Sequence, residues 1–199
     1  ADGISPMDTK LEKISGAPRP HDRKSLRAFL GYINYYRDYI RDFALLALPL
    51  YELLRKDVAW SWLDAHAVAF REINIAFRNA PVLAHPSSNE RDIFVLDTDA
   101  SLDGVGGVLS QIQDGRERPI CFASRILSRA ERNYDVTRRE LLAVVVFTNR
   151  FRHYLFGRPF VLRTDHAALR WLFHSLELTS QSTRWITKLA DYDMVVKHR

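Results

Sequence analysis

The stretch Ile-Phe-Val-Leu-Asp-Thr-Asp-Ala-Ser-Leu-Asp-Gly-Val-Gly-Gly-Val-Leu, residues 93–109, constrains the fold more than any other part of the chain. An apolar, β-branched run ends in acids, Asp103-Gly104 is a hairpin signal, and a second apolar run follows. Two antiparallel strands are therefore predicted, over 93–98 and 104–112. A period of two places Val95, Asp97 and Asp99 on one face and Phe94, Leu96 and Thr98 on the other. Neighbouring carboxylates repel, and a fold tolerates them when a hard cation neutralises the pair or when one acid points into water. From this stretch alone, a cation site and a solvated strand end with an Asx-type turn are equally good readings.

With 199 residues, 47% of them hydrophobic, the chain has core for one large domain or two small ones, and two are expected. A formal net charge of +5 suits a polyanionic partner without identifying it. A single cysteine, Cys121, excludes an internal disulfide framework and a multi-cysteine zinc site, which fits a reducing compartment. No apolar run approaches the roughly 20 residues that span a bilayer, and the first residues do not read as a signal peptide. A soluble piece of something longer is the expectation.

Glycines and prolines break residues 1–20, leaving room for a short helix over 8–14 and then a linker. Asp22 caps a predicted helix over 24–43, with Leu26, Phe29, Leu30, Ile33 and Ile40 at helical spacing. Its other face carries Lys24, Arg27, Gly31, Asn34, Arg37 and Arg41. Such a face is either an ordinary solvated surface or a track for a nucleic-acid backbone, with the glycine allowing close approach. Further helices are predicted over 50–56 and 64–79, the latter capped by Asp64 with Ala67, Phe70, Ile73 and Phe77 inward. Residues 80–89 read as a connector. Beyond it the period becomes two: strands over 93–98, 104–112 and 118–123, a long apolar helix over 137–155, a strand over 160–164, helices over 167–173 and 183–190, and a strand over 194–197.

Three strands, a helix and a fourth strand make a mixed sheet in which the fourth returns parallel to the first by a right-handed crossover. Asp99 and Asp165 then end neighbouring strands at one sheet edge, the edge where open α/β sheets bind ligands. Glu140, early in the crossover helix, could point over the same edge. Three converging carboxylates suit two-metal phosphodiester chemistry, with ions about 4 Å apart. Each acid also has a plainer role available: Thr137-Arg138-Arg139-Glu140 fits a capping box, and Asp165 fits a helix N-cap.

The phrases Phe29-Leu30-Gly31-Tyr32-Ile33-Asn34-Tyr35-Tyr36-Arg37, Ala80-Pro81-Val82-Leu83, Thr98-Asp99-Ala100-Ser101, Val108-Leu109-Ser110-Gln111, Glu131-Arg132-Asn133-Tyr134, Glu140-Leu141-Leu142-Ala143-Val144, His153-Tyr154-Leu155-Phe156-Gly157 and Thr164-Asp165-His166 occur in order along the chain. With them, residues 93–199 resemble the ribonuclease H domain of reverse transcriptases from gypsy-type long-terminal-repeat retrotransposons. Residues 1–88 resemble the end of the palm and the helical thumb or connection segment before it. The resemblance implies an α/β fold with a ribonuclease H-like mixed five-stranded sheet and flanking helices, as a domain over 89–199. It implies that Asp99, Glu140 and Asp165 are catalytic, metal-binding acids that hold two magnesium ions, with manganese as a substitute. The implied substrate is the RNA strand of an RNA/DNA hybrid, cut endonucleolytically in support of RNA-directed DNA synthesis. Lys24, Arg27, Gly31, Asn34, Arg37 and Arg41 become a hybrid-binding surface. The implied partners are the hybrid, the fingers and palm of the same enzyme and the rest of a polyprotein, with no membrane and with homodimerisation a further arrangement; the implied setting is the cytoplasmic particle of a retroelement.

Two departures shape the expectation. The aromatic-x-Asp-Asp turn of the family's polymerase palm is absent, so this chain alone is not expected to copy nucleic acid. The family's pattern also continues past Val196-Lys197-His198-Arg199 to a last helix with a fourth acid, so the domain is expected to be truncated before that helix. Asp97 is a candidate partial substitute, and His166 a capping or orienting residue. The competing expectation is a non-catalytic nucleic-acid-binding or subunit-contact module, a degenerate or truncated ribonuclease H fold.

Overall fold

The structure, a computed structural model, describes residues 3–6, 14, 16–165 and 180–198. Helix α1, Arg23–Asn34, begins where the Asp22 carboxylate accepts the Ser25 backbone N–H at 2.6 Å, and it buries Leu26, Phe29, Leu30 and Ile33 along one stripe. The helix expected over 24–43 does not continue past this point. After Tyr35 the chain forms a 3-10 turn, Arg37–Tyr39, and at Asp42 it takes a left-handed conformation with φ 54°. Helix α2, Phe43–Leu53, then sets off in a new direction. The apolar spacing carries on to Ile40 and Phe43 because both still enter the same core, so the sequence period conceals a change of axis.

α2 absorbs the start of the helix expected over 50–56 and passes through Pro49, giving up one backbone hydrogen bond there. Burial of Phe43, Ala47, Leu50 and Leu53 outweighs that loss. Helix α3, Asp64–Arg78, starts from Leu63, whose N–H donates to His66 Nδ1 at 2.8 Å, so Asp64 is the first helical residue and not the cap. Ala67 is exposed; Ala69, Ile73 and Phe77 supply the buried stripe.

The sheet has the order β3-β2-β1-β4-β5. Strands β1, Phe94–Ala100, β2, Gly104–Gln113, and β3, Arg116–Ile126, form the antiparallel meander. Strand β4, Phe160–Thr164, lies parallel to β1, as the crossover argument requires, and β5, Met194–His198, runs parallel to β4. Helix α4, Val136–Arg150, packs over β1 and β2, and a short helix α5, Arg152–Leu155, follows a break at Phe151 where one helix was expected. Helix α6, Ser180–Leu189, packs on α4. The predicted helix over 167–173 lies outside the described residues, as does that over 8–14 apart from the buried Ile14.

Phe94, Leu96, Leu109, Val144, Phe147 and Leu162 centre the sheet core. Gly107 lets α4 lie flush on the sheet, since a Cβ there would sit 2.6 Å from the Phe147 ring. The helical segment forms a second apolar cluster of its own and docks on the sheet by its α2 end. The Ala44 N–H donates to Ser124 Oγ at 2.8 Å, and Leu45 presses on Gly104. Arg150 of α4 reaches Asp38 at 3.6 Å. Among the described residues, no helix is long and apolar enough to cross a membrane.

Candidate metal centre

Asp99 lies near the carboxyl end of β1, and Asp165 immediately follows β4. Residues 97 and 163 are register partners in the parallel pair, so the two acids occupy equivalent positions beyond the last shared rung. Glu140 sits near the start of α4, the helix that crosses between these strands, and is 3% exposed. One carboxylate oxygen from each of Asp99, Glu140 and Asp165 lies within 4.8 Å of the others, with Asp99 and Asp165 exposed. Acids from three distant stretches therefore meet at one sheet edge.

Glu140 does not close the capping box that its spacing allowed. Asp135 caps α4, accepting the Arg138 N–H at 2.9 Å. This frees Glu140 to reach across to β1, where its Oε1 accepts the Ala100 N–H at 3.2 Å. Its Oε2 is buried and has no hydrogen-bond partner among the described residues. Beside it the Arg139 guanidinium donates to the Ser101 carbonyl at 3.1 Å, tying the helix start to the end of β1. Burial, and then the charges of Asp165 and Asp99, raise the Glu140 carboxyl to about 7. A buried acid with one orphaned oxygen, facing two other acids, is a donor set suited to a hard divalent cation.

Asp97 is corrected from candidate ligand to ion-pair partner. It shares a face with Asp99, but Arg163 Nε donates to its Oδ1 at 2.9 Å and Arg163 Nη2 to its Oδ2 at 2.6 Å, so both oxygens are engaged. The same guanidinium extends to Glu117 on β3, with Nη1 donating to Oε2 at 2.9 Å and Nη2 to Oε1. The expectation for His166 lies outside the described residues.

One acid at this edge was not foreseen. Asp42, from the turn before α2, lines a narrow recess with Arg41, Asp97, Asp99 and Gly106. Burial raises its carboxyl, Arg41 at 3.7 Å lowers it and Asp99 raises it. Nothing local in the sequence marks it, because its position depends on how the helical segment docks.

The six residues expected to form one nucleic-acid-binding helix face do not share a helix. Lys24, Arg27, Gly31 and Asn34 are exposed along one side of α1, and the space where a Cβ of Gly31 would stand is open. Arg37 lies in the 3-10 turn beside Asp38 at 3.6 Å, and Arg41 lies beside Asp42. The turn after Asn34 takes Arg37 and Arg41 off the helix, although Asn34 and Arg37 still line one cavity with Asp38, Phe43 and Tyr51.

Residues 89–192 match the family model described as the RNase H-like domain found in reverse transcriptase. The chain is 34% identical over 196 residues to the retrovirus-related Pol polyprotein from transposon 412 of Drosophila melanogaster, covering 98% of this chain and 16% of that polyprotein. It is 35% identical over 202 residues to the transposon Tf2-3 polyprotein of Schizosaccharomyces pombe, covering 99% and 15% respectively. The chain thus spans about a sixth of the length of these relatives. Among solved structures, a foamy viral protease-reverse transcriptase in complex with an RNA/DNA hybrid superposes with a TM-score of 0.79 at 20% identity, over all of this chain and 27% of that one. A foamy viral protease-reverse transcriptase in complex with double-stranded DNA gives 0.77 at 22% identity, over 97% and 41%. At that identity the likeness is one of fold.

Proposed function

The chain belongs to the family of RNase H-like domains found in reverse transcriptases, and from that premise we propose that it cleaves the RNA strand of an RNA/DNA hybrid at the edge holding Asp99, Glu140 and Asp165. The observation that carries this reading is their convergence within 4.8 Å, with a buried carboxylate oxygen left unpartnered. Of the plainer roles, the capping box is taken by Asp135, a solvated strand end does not account for Glu140 turning inward, and the helix that Asp165 would cap lies outside the described residues.

The three acids would hold the divalent cations, magnesium or manganese. Bound there, such ions supply an activated water and offset the charge that develops on the leaving oxygen of an in-line displacement. The chain's own residues do the rest. The Ala100 N–H fixes one oxygen of Glu140 and so aims the other inward, while Arg139 holds the end of β1 against α4. Exposure of Asp99 and Asp165 leaves that side open to a phosphodiester backbone. Glu140, with its carboxyl raised to about 7, would have to give up its proton to hold a cation, so cation binding would tighten as pH rises.

The exposed side of α1, with Lys24, Arg27, Gly31 and Asn34, is proposed to follow the hybrid, where a 2′-hydroxyl in the minor groove distinguishes RNA from DNA. Residues 1–88 are proposed to be the thumb or connection segment and 89–199 the ribonuclease H-like domain, working beside the fingers and palm of the same polyprotein in an intracellular retroelement particle. Foamy viral proteins alike in fold were solved on an RNA/DNA hybrid and on double-stranded DNA, which supports a nucleic-acid duplex as the ligand.

The test is to incubate the protein and its Asp99→Asn variant with magnesium and a hybrid labelled on its RNA strand. The expected result is 3′-hydroxyl and 5′-phosphate RNA fragments from the parent, at least about a hundredfold fewer from the variant, and an intact DNA strand. Hybrid binding without cleavage by either protein would favour the non-catalytic binding module. Equal cleavage by both would remove these acids from the mechanism.

A further inference from the structure

The ladder between β1 and β4 ends before the acids. Its rungs run from Phe94 opposite Phe160 to Asp97 opposite Arg163, and there the shared register stops. Beyond that rung β1 continues to Ala100 alongside β2 and β4 ends at Thr164 alongside β5. Among the described residues, Asp99 and Asp165 therefore sit two residues beyond the last β1–β4 rung. The last rung carries the bidentate Asp97–Arg163 ion pair, with contacts of 2.9 and 2.6 Å, two residues before each acid. A second fork from the same guanidinium to Glu117 anchors it to β3, on the far side of β2.

We propose that Arg163 and Asp97 are positioning residues for the metal centre: their ion pair is the clamp that sets the separation of the strand ends bearing Asp99 and Asp165. The inference rests on the reading of those acids as cation ligands. A planar guanidinium suits the task, since its fixed fork grips two carboxylates in defined directions, whereas an ammonium would act as a point charge. The Asp97 side chain is 10% exposed and that of Arg163 28%, so the pair is screened less than a surface pair.

Charge and geometry predict opposite signs here. Deleting a cation near a site for cations should tighten metal binding through space. Loss of the clamp should weaken it, because the acids would no longer be held at the spacing that shares an ion. The experiment is Mn2+ titration of the full chain without nucleic acid, followed by electron paramagnetic resonance. It compares the parent with Arg163→Met, with the charge-neutral double variant Asp97→Leu/Arg163→Met, and with Asp99→Asn. Thermal melting of each is recorded alongside.

The clamp predicts Mn2+ affinity lowered about tenfold in both Arg163→Met and the double variant, the low end of what losing a supporting contact around a metal site costs. Affinity equal to or tighter than the parent's in both, with Asp99→Asn losing Mn2+, would overturn the clamp and leave the metal site standing. Parental affinity in Asp99→Asn would overturn the site itself, and the clamp with it. Should Arg163→Met fail to fold, Arg163→Lys keeps the charge without the fork. It is expected to weaken Mn2+ severalfold, and parental affinity in it overturns the clamp.

Discussion

At the scale of single residues, Glu140 shows what burial and neighbouring acids do to a carboxyl at this site. Its folded-state carboxyl is raised from the ordinary 4.5 to about 7 by burial and by Asp165 and Asp99. Between those values the folded protein binds more protons than the unfolded chain, so with metal removed by chelation, folding stability falls as pH rises from about 4.5 to about 7. Below that window the contribution is fully present. In EDTA, the parent is expected to lose melting temperature across it relative to Glu140→Gln, whose amide does not titrate; parallel pH profiles would deny the shift. Saturating magnesium should flatten the difference, because a bound cation favours the ionised form. Gly107 makes a prediction of a different kind. Gly107→Val drives a side chain into the Phe147 ring, and overpacking of this sort costs about 1–3 kcal/mol, read by urea denaturation.

At the scale of elements, the two groups of basic residues should respond differently. Arg27 projects from the exposed side of α1, whereas Arg37 sits beside Asp38 in the turn that follows. Arg27→Glu is expected to weaken hybrid binding and to lower the slope of log affinity against log salt by about 1. Arg37→Glu should change both less, since its charge is already partly offset by a neighbour. Fluorescence anisotropy over a salt series reads both quantities, with circular dichroism as the control for fold; equal effects would restore the single continuous face. The sequence joins the two groups into one face for an identifiable reason. Ile33, Ile40 and Phe43 keep helical spacing because they enter one core, yet Asp42 at φ 54° turns the axis between them. Periodicity reports which residues are buried, and here it cannot report that the stripe belongs to two helices.

At the scale of the whole molecule, the adjacency of β1 and β4 and the meeting of three acids follow from local signals, whereas the place of β5 beside β4 does not. The hairpin signalled by Asp103-Gly104, which forms as a turn over 101–103 closed by Ser101, the apolar crossover helix and the handedness of a parallel connection are enough to bring β4 beside β1, and β4 begins and ends at its predicted bounds. The features that stayed hidden depend on long-range register or docking. Arg163 falls in a predicted strand with nothing local to mark it until pairing places it opposite Asp97, and Asp42 falls in a predicted helix until the helical segment rests on Gly104 and Ser124. Glu140 is intermediate: its spacing suited a capping box, and only the competing cap from Asp135 released it toward the sheet edge.

The claim on which everything else turns is that this edge holds divalent cations. Crystals of the protein with an RNA/DNA hybrid and Mn2+, measured at the manganese absorption edge, test it directly. The account predicts an anomalous peak within about 2.0–2.4 Å of carboxylate oxygens from Asp99, Glu140 and Asp165. Manganese bound at other sites, with no peak among these three acids, would contradict it.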